Sequence, residues 1–325
     1  VNQITFENAL KHSRAYQIIQ NDLKTGLGHA YMFVSPDDEA IANFFMLIAC
    51  STYCASNDAC MDCSECSKVL HYNHPNVFWV NLAGEQIKVD DIRELTTSAY
   101  IKAFDDSPKL YFILGADQMN SQAQNKLLKT LEEPPAGVTI FLGVSNVSAV
   151  KDTIYSRCRS INFDLFDYDT IFNEILALTD DRELSSIAAA CSEGELGKAH
   201  KIALSPEYTA LYRSALDVLK NMTKSSDIAK YLSAEYMPKN LDDFLAVLSI
   251  LLRDIMVARF DKTLILSKHL QDDITPLIQQ FSEKAIVEIQ GFIAEARKKI
   301  FFHISAITIL ETLYFGMLEV KHKWH

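Results

Sequence analysis

The sequence predicts an α/β domain with a five-stranded, largely parallel sheet covered by helices on both faces, then a small helical domain and an all-α bundle. Three observations predict it. Strand-length apolar runs alternate with helical patterns up to residue 163, no such run follows, and the remainder reads as amphipathic helix. A chain of 325 residues exceeds one ordinary core, so domains are expected at 1–163, 164–207 and 208–325.

The expected strands are 29–35, 77–82, 110–115, 139–144 and 160–163, and helical spacing covers 37–54, 89–104, 118–133 and 148–157 between them. In the third of these helices Met119, Ala123, Leu127 and Leu131 recur at helical spacing and build one buried face. Pro134-Pro135 ends it, because proline lacks the N–H donor and clashes with the preceding turn. Strand and helix alternation of this kind implies parallel strands buried on both faces. Past residue 163, short helices are expected at 168–178, 182–191 and 196–204 around the turn Ser192-Glu193-Gly194. Beyond Ser205-Pro206 the helices lengthen, and 241–259 and 285–299 are the clearest.

Composition narrows the function. With 49% hydrophobic and 22% charged residues the chain has a globular composition, and a net charge of −11 argues against coating nucleic acid with its whole surface. Its longest apolar stretches, such as 244–252 and 304–310, fall short of the ~18 residues a bilayer span needs. No basic segment followed by an apolar core marks a leader, so a cytoplasmic location without membrane contact is expected.

Cysteines crowd between Cys50 and Cys66, with Cys60, Cys63 and Cys66 at x2 spacing. Tight spacing lets one knuckle aim successive sulfurs at one ion, and four thiolates closed around Zn²⁺ make a structural site. Disulfides are the poorer reading for a cytosolic chain. The expected ligands are Cys50, Cys60, Cys63 and Cys66. Cys54 is the alternative to Cys50, because the two lie one helical turn apart on one face. Cys158 and Cys191 are isolated and read as small core residues.

Nucleotide chemistry is present only in outline. A phosphate-binding loop needs glycines whose backbone donors cradle phosphates, a lysine that neutralises them and a hydroxyl for magnesium. After the first strand this chain has Ser35-Pro36-Asp37-Asp38-Glu39-Ala40, and no glycine lies between Gly28 and Gly84. Those carboxylates would repel a triphosphate and suit a helix N-terminus. The strand 110–115 leads to Asp117-Gln118 where an ATPase would place a magnesium ligand and a general base. Asp117 reads as a helix cap more readily than as a magnesium ligand, and the amide of Gln118 cannot take a proton at neutral pH. Ser156-Arg157-Cys158 follows the fourth helix and precedes the last strand.

Taken together these motifs carry a resemblance. Ala116-Asp117-Gln118-Met119-Asn120, the run Asn125-Lys126-Leu127-Leu128-Lys129-Thr130-Leu131-Glu132-Glu133-Pro134-Pro135, and Thr153-Ile154-Tyr155-Ser156-Arg157-Cys158 are similar to stretches of the clamp-loader branch of the AAA+ family. The cysteine insert, His74-Pro75 and residues 87–95 also fit. Residues 5–163 resemble the family well; the helical remainder does so more loosely, best at 304–313.

The resemblance implies an AAA+-like first domain, a helical lid and a collar that holds a ring of subunits together. It implies that Arg157 acts in trans, stabilising charge on a phosphoryl group in the ATP site of an adjacent gamma or tau subunit. Such fingers contribute ~10³–10⁵ in rate, and a permanently charged planar guanidinium suits the task. Ser156 and Cys158 would position it. The missing loop, and Gly197 where ATP-binding members carry an arginine, imply a subunit that binds no ATP and is no enzyme in isolation. The implied partners are gamma or tau and delta subunits of a DNA polymerase III assembly. Indirectly they include the sliding clamp and primer–template DNA, at a nucleoid-associated replisome.

Two other readings stay open on the residues alone. One is an ATPase of the same family with an atypical site, which ATP binding by the isolated chain would favour. The other is a zinc-bearing nucleic-acid-binding module, which salt-dependent DNA binding would favour. Against the latter, Met61-Asp62-Cys63-Ser64-Glu65-Cys66-Ser67-Lys68 lacks the basic–aromatic interleaving that base stacking needs.

Overall fold

A computed structural model describes residues 4–81, 86–101, 107–205 and 207–324. By packing, the chain divides into two compact units: residues up to Phe166 together with Glu195–Gly197, and Asp167–Gly194 with the chain from Lys198 onward. The boundary expected at 207/208 falls inside the second unit.

The first unit runs α1 (Glu7–His12), α2 (Arg14–Thr25), β1 (Ala30–Val34), α3 (Asp38–Tyr53), α4 (Ser64–Leu70), β2 (Val77–Val80) and α5 (Val89–Ala99). It continues with β3 (Lys109–Ile113), α6 (Ser121–Glu132), β4 (Val138–Val144), α7 (Asp152–Tyr155) and β5 (Arg159–Asn162). The strands form the expected five-stranded sheet in the order β2-β3-β4-β1-β5, every neighbouring pair parallel. Side-chain alternation divides the core into two layers. On one face Met32, Tyr111, Ile113, Ile140 and Leu142 meet Ile92 and Leu95 of α5 and Leu127 and Leu131 of α6. On the other, Phe33, Phe112 and Phe141 pack with Phe44 and Phe45 of α3 at ring separations of 4.9–6.4 Å. Gly143 lets α3 come this close, since a Cβ there would stand 2.8 Å from Ile41 Cγ2.

Two expected helices are broken. Residues 118–133 divide into a 3-10 turn, Ala116–Gln118, and α6, because Asn120 accepts from the Gln122 and Ala123 amides and starts the helix anew. Residues 148–157 divide into a 3-10 turn, Val147–Ala149, and the single-turn α7, with Val150 extended between them. Leu82 and Phe104, the ends of two expected elements, and Pro206 lie outside the described residues.

The second unit is helical: α8 (Tyr168–Thr179), α9 (Arg182–Cys191), α10 (Leu196–Ala203, whose first two residues belong to the first unit), α11 (Glu207–Asn221) and α12 (Ser225–Tyr231). These are followed by α13 (Leu241–Val257), α14 (Gln271–Ile274), α15 (Glu283–Phe301) and α16 (Ala306–Lys323). Among the described residues no helix is long and apolar enough to cross a membrane.

Candidate functional site

The carboxyl ends of parallel strands are where α/β sheets hold ligands. Here β1 leads through Ser35 and Pro36 to Asp37, the N-cap of α3. Asp37 is buried, its Oδ1 accepting the Ala40 amide at 3.0 Å and its Oδ2 the Gly197 amide at 2.9 Å. Its own amide donates to Ser35 Oγ at 3.1 Å. One N-terminal amide of α3, that of Ala40, is thus engaged by a carboxylate of the chain itself. Glycine is required at 197, because a Cβ would lie 2.4 Å from Asp37 Oδ1 and 2.6 Å from Glu39 Cβ.

Asp117 caps no helix. Its Oδ1 accepts the Ser145 amide at 3.3 Å, and its Oδ2 accepts Ser145 Oγ and the Asn146 amide, each at 3.1 Å. The expected capping role passes to Asn120, and Asp117 instead fixes the chain as it leaves β4. Gln118 is exposed, with its amide lying over Gly115.

Arg157 stands just past α7, behind Ser156, with 35% of its side chain exposed. Its Nη1 donates to Thr153 O at 2.8 Å and reaches Ser156 Oγ at 3.5 Å, while Nη2 pairs with Glu132 Oε1 at 2.8 Å. Cys158 is half-buried and packs against the core beneath the sheet, and burial pushes its thiol up to about 12. The Glu132 contact had no signal in the sequence beyond the motif that contains the residue.

The thiols that converge are Cys54, Cys60, Cys63 and Cys66, their sulfurs all within 4.8 Å of one another. Cys50 lies outside this group. It is fully buried in α3, and burial pushes its thiol up to about 12. Cys54 ends α3 as its C-cap, where the chain turns toward the other three. A tetrahedral Zn²⁺ with ~2.3 Å bonds places its sulfurs about 3.8 Å apart, and Cys54 and Cys63 stand at 4.0 Å. The sulfurs are aimed by backbone donors, the Cys60 amide to Cys54 and the Cys66 amide to Cys63, each at 3.4 Å. Burial opposes ionisation of Cys54, but the Ser56 and Cys60 donors outweigh it and hold the thiol down to about 5. Asn57, Ala59 and Met61 all adopt left-handed φ, a strained winding that persists where its surroundings over-determine it. Lys11 Nζ pins the same loop through Asp58 O at 2.9 Å. This donor set fits a structural divalent ion such as zinc.

Comparison with known proteins agrees with these motifs. Residues 11–167 match the family model described as DNA polymerase III, delta subunit. The chain is 33% identical over 153 residues to the DNA polymerase III subunit delta' of Bacillus subtilis, covering 46% of each protein. It is 27% identical over 161 residues to the delta' subunit of Haemophilus influenzae, covering 48% of this chain and 49% of the relative. The chain thus spans about half the length of the curated relatives it matches. A solved DNA polymerase III gamma subunit-related protein from Thermotoga maritima superposes with a TM-score of 0.43 at 14% identity, covering 94% of this chain and 99% of its own. The motifs agree with these matches: residues 11–167 are similar to the delta-type subunits of DNA polymerase III.

Proposed function

We propose that this chain is a non-catalytic clamp-loader subunit that holds no nucleotide and lends Arg157 to the ATP of a neighbouring gamma or tau subunit. The observation that carries the proposal is the placement of Asp37. Its buried carboxylate stands at the N-terminus of α3, just past β1, and accepts the Ala40 and Gly197 amides, and a carboxylate in that place opposes a triphosphate. Arg157, by contrast, presents a half-exposed guanidinium on a rigid turn. The four-cysteine knuckle would hold zinc and stabilise the loop between α3 and α4. The helical unit would supply lid and collar, and the assembly with gamma or tau and delta would load the sliding clamp on primed DNA in the cytoplasm.

Reassembly with gamma or tau and delta subunits tests this through Arg157→Ala. Turnover at the single ATP site served should fall by ~10³ or more, so clamp- and DNA-stimulated hydrolysis by the whole complex should drop by that site's share. Unchanged turnover would remove the role in trans. Micromolar ATP binding by the isolated chain would remove the claim of an occupied pocket.

A further inference from the structure

Arg157 does not stand alone on its surface. Its Nη2 meets Glu132 Oε1 at 2.8 Å, while Nη1 is held by Thr153 O at 2.8 Å. Glu132 is the last residue of α6, where the helix dipole presents its negative end. A carboxylate there is disfavoured by the helix that carries it, so the helix gives no reason for this residue. The guanidinium does.

The distance between the two groups is set by the backbone. Pro134-Pro135 follows Glu133, the C-cap of α6. Gln124 of α6 is buried, and its Nε2 donates to Met119 O and to Ala149 O, each at 3.0 Å. Its Oε1 accepts the Lys151 amide at 2.9 Å, and Lys151 Nζ reaches Asn125 Oδ1 at 2.7 Å. On the far side, His29 Nε2 meets Arg157 O at 3.1 Å. Two elements are therefore clamped so that acid and base face each other. Both side chains keep solvent access, 35% for Arg157 and 44% for Glu132, so the pair can exchange partners.

We infer that Glu132 is the resident counter-ion of Arg157, competing with an incoming phosphate for the guanidinium and so setting how tightly the arginine engages a neighbouring triphosphate. This rests on the role in trans proposed above. In the free chain the carboxylate neutralises and orients the guanidinium. When a phosphate arrives, the carboxylate either yields Nη2 or stands beside a second anion. Both cost affinity, and both disappear when the charge is removed while the shape is kept.

The test is Glu132→Gln in the complex reassembled with gamma or tau and delta, with ATP hydrolysis followed against ATP concentration. Losing an exposed ion pair of this kind should lower the KM for ATP about 1.5- to fivefold, with kcat moving less than KM. The gap from wild type should narrow as salt is raised, because exposed charges are screened. In the Arg157→Ala background the Glu132→Gln change should do nothing further, as a double-mutant cycle requires of a direct pair. If Arg157→Ala depresses hydrolysis but Glu132→Gln leaves KM unchanged or raises it, the counter-ion role is overturned and the finger stands. If Arg157→Ala itself has no effect, the finger falls and this inference with it.

Discussion

Cys50 and Cys54 lie one turn apart on the same helix, and what separates them is what surrounds each sulfur. Cys50 is enclosed by the core, whereas Cys54 caps α3 and receives the Cys60 amide. Thiolate ligands need donors and an opening toward the ion, and only Cys54 has both. Cys54→Ser should release the metal, while Cys50→Ala should keep it and lose about 1 kcal/mol, the scale of one deleted buried methylene. Zinc content of the purified variants, with urea unfolding alongside, checks this. Metal loss from Cys50→Ala and not from Cys54→Ser would reverse the assignment. The x2 spacing of Cys60, Cys63 and Cys66 was legible in the sequence, because knuckle geometry is local. The fourth ligand was not, since helical periodicity places both candidates on one face and the choice depends on where α3 stops.

Among the elements, the entry to α7 shows how tertiary contacts override local periodicity. The pattern from 148 to 157 reads as one helix, yet the chain pauses at Val150 and restarts at Asp152. The Lys151 amide donates to Gln124 Oε1, and Ala149 O accepts from Gln124 Nε2, so a side chain from α6 satisfies backbone groups at the break. Gln124→Leu keeps the approximate volume but leaves Met119 O, Ala149 O and the Lys151 amide unpaired. Met119 O is buried and costs ~1–3 kcal/mol when stranded, whereas Ala149 O and the Lys151 amide are only part-buried and can turn to water, so a total loss of about 1–3 kcal/mol is expected. Chemical denaturation would measure it. A loss below about 0.5 kcal/mol, the scale of a neutral surface change, would mean that the two elements hold their spacing without the amide. If Arg157 acts in trans as proposed, the same variant should also weaken hydrolysis by the complex, because Gln124 ties α6 to the segment that leads into the Arg157 turn.

For the whole molecule, the sheet was the most legible part. Each expected strand lies within two residues of an observed one; β1, β3 and β4 are buried nearly throughout and read as apolar runs, whereas the edge strand β5 is buried only at Ile161. What sequence could not supply were contacts between distant segments, such as Glu132 with Arg157 or Asp37 with Gly197. The helical part carries its own core. In α13, Phe244, Leu245, Val247, Leu248, Leu251, Leu252 and Ile255 are fully buried, and Tyr212, Tyr231 and Tyr314 are enclosed within the same unit. Its buried Asp254 is satisfied internally, accepting the Leu266 amide at 3.0 Å, the Ser267 amide at 2.8 Å and Arg253 Nη1 at 2.8 Å. A unit with an apolar centre and paired buried charges can fold alone. Expressed by itself, residues 167–325 should give a helical circular dichroism spectrum and one cooperative thermal transition. That transition should ignore chelators, because the four converging thiols all belong to the other unit. In the intact chain, chelation should lower the melting of the sheet-bearing unit and leave a helical transition in place. A fragment that melts without cooperativity, or whose melting shifts with chelator, would show that the helical core depends on the rest of the chain.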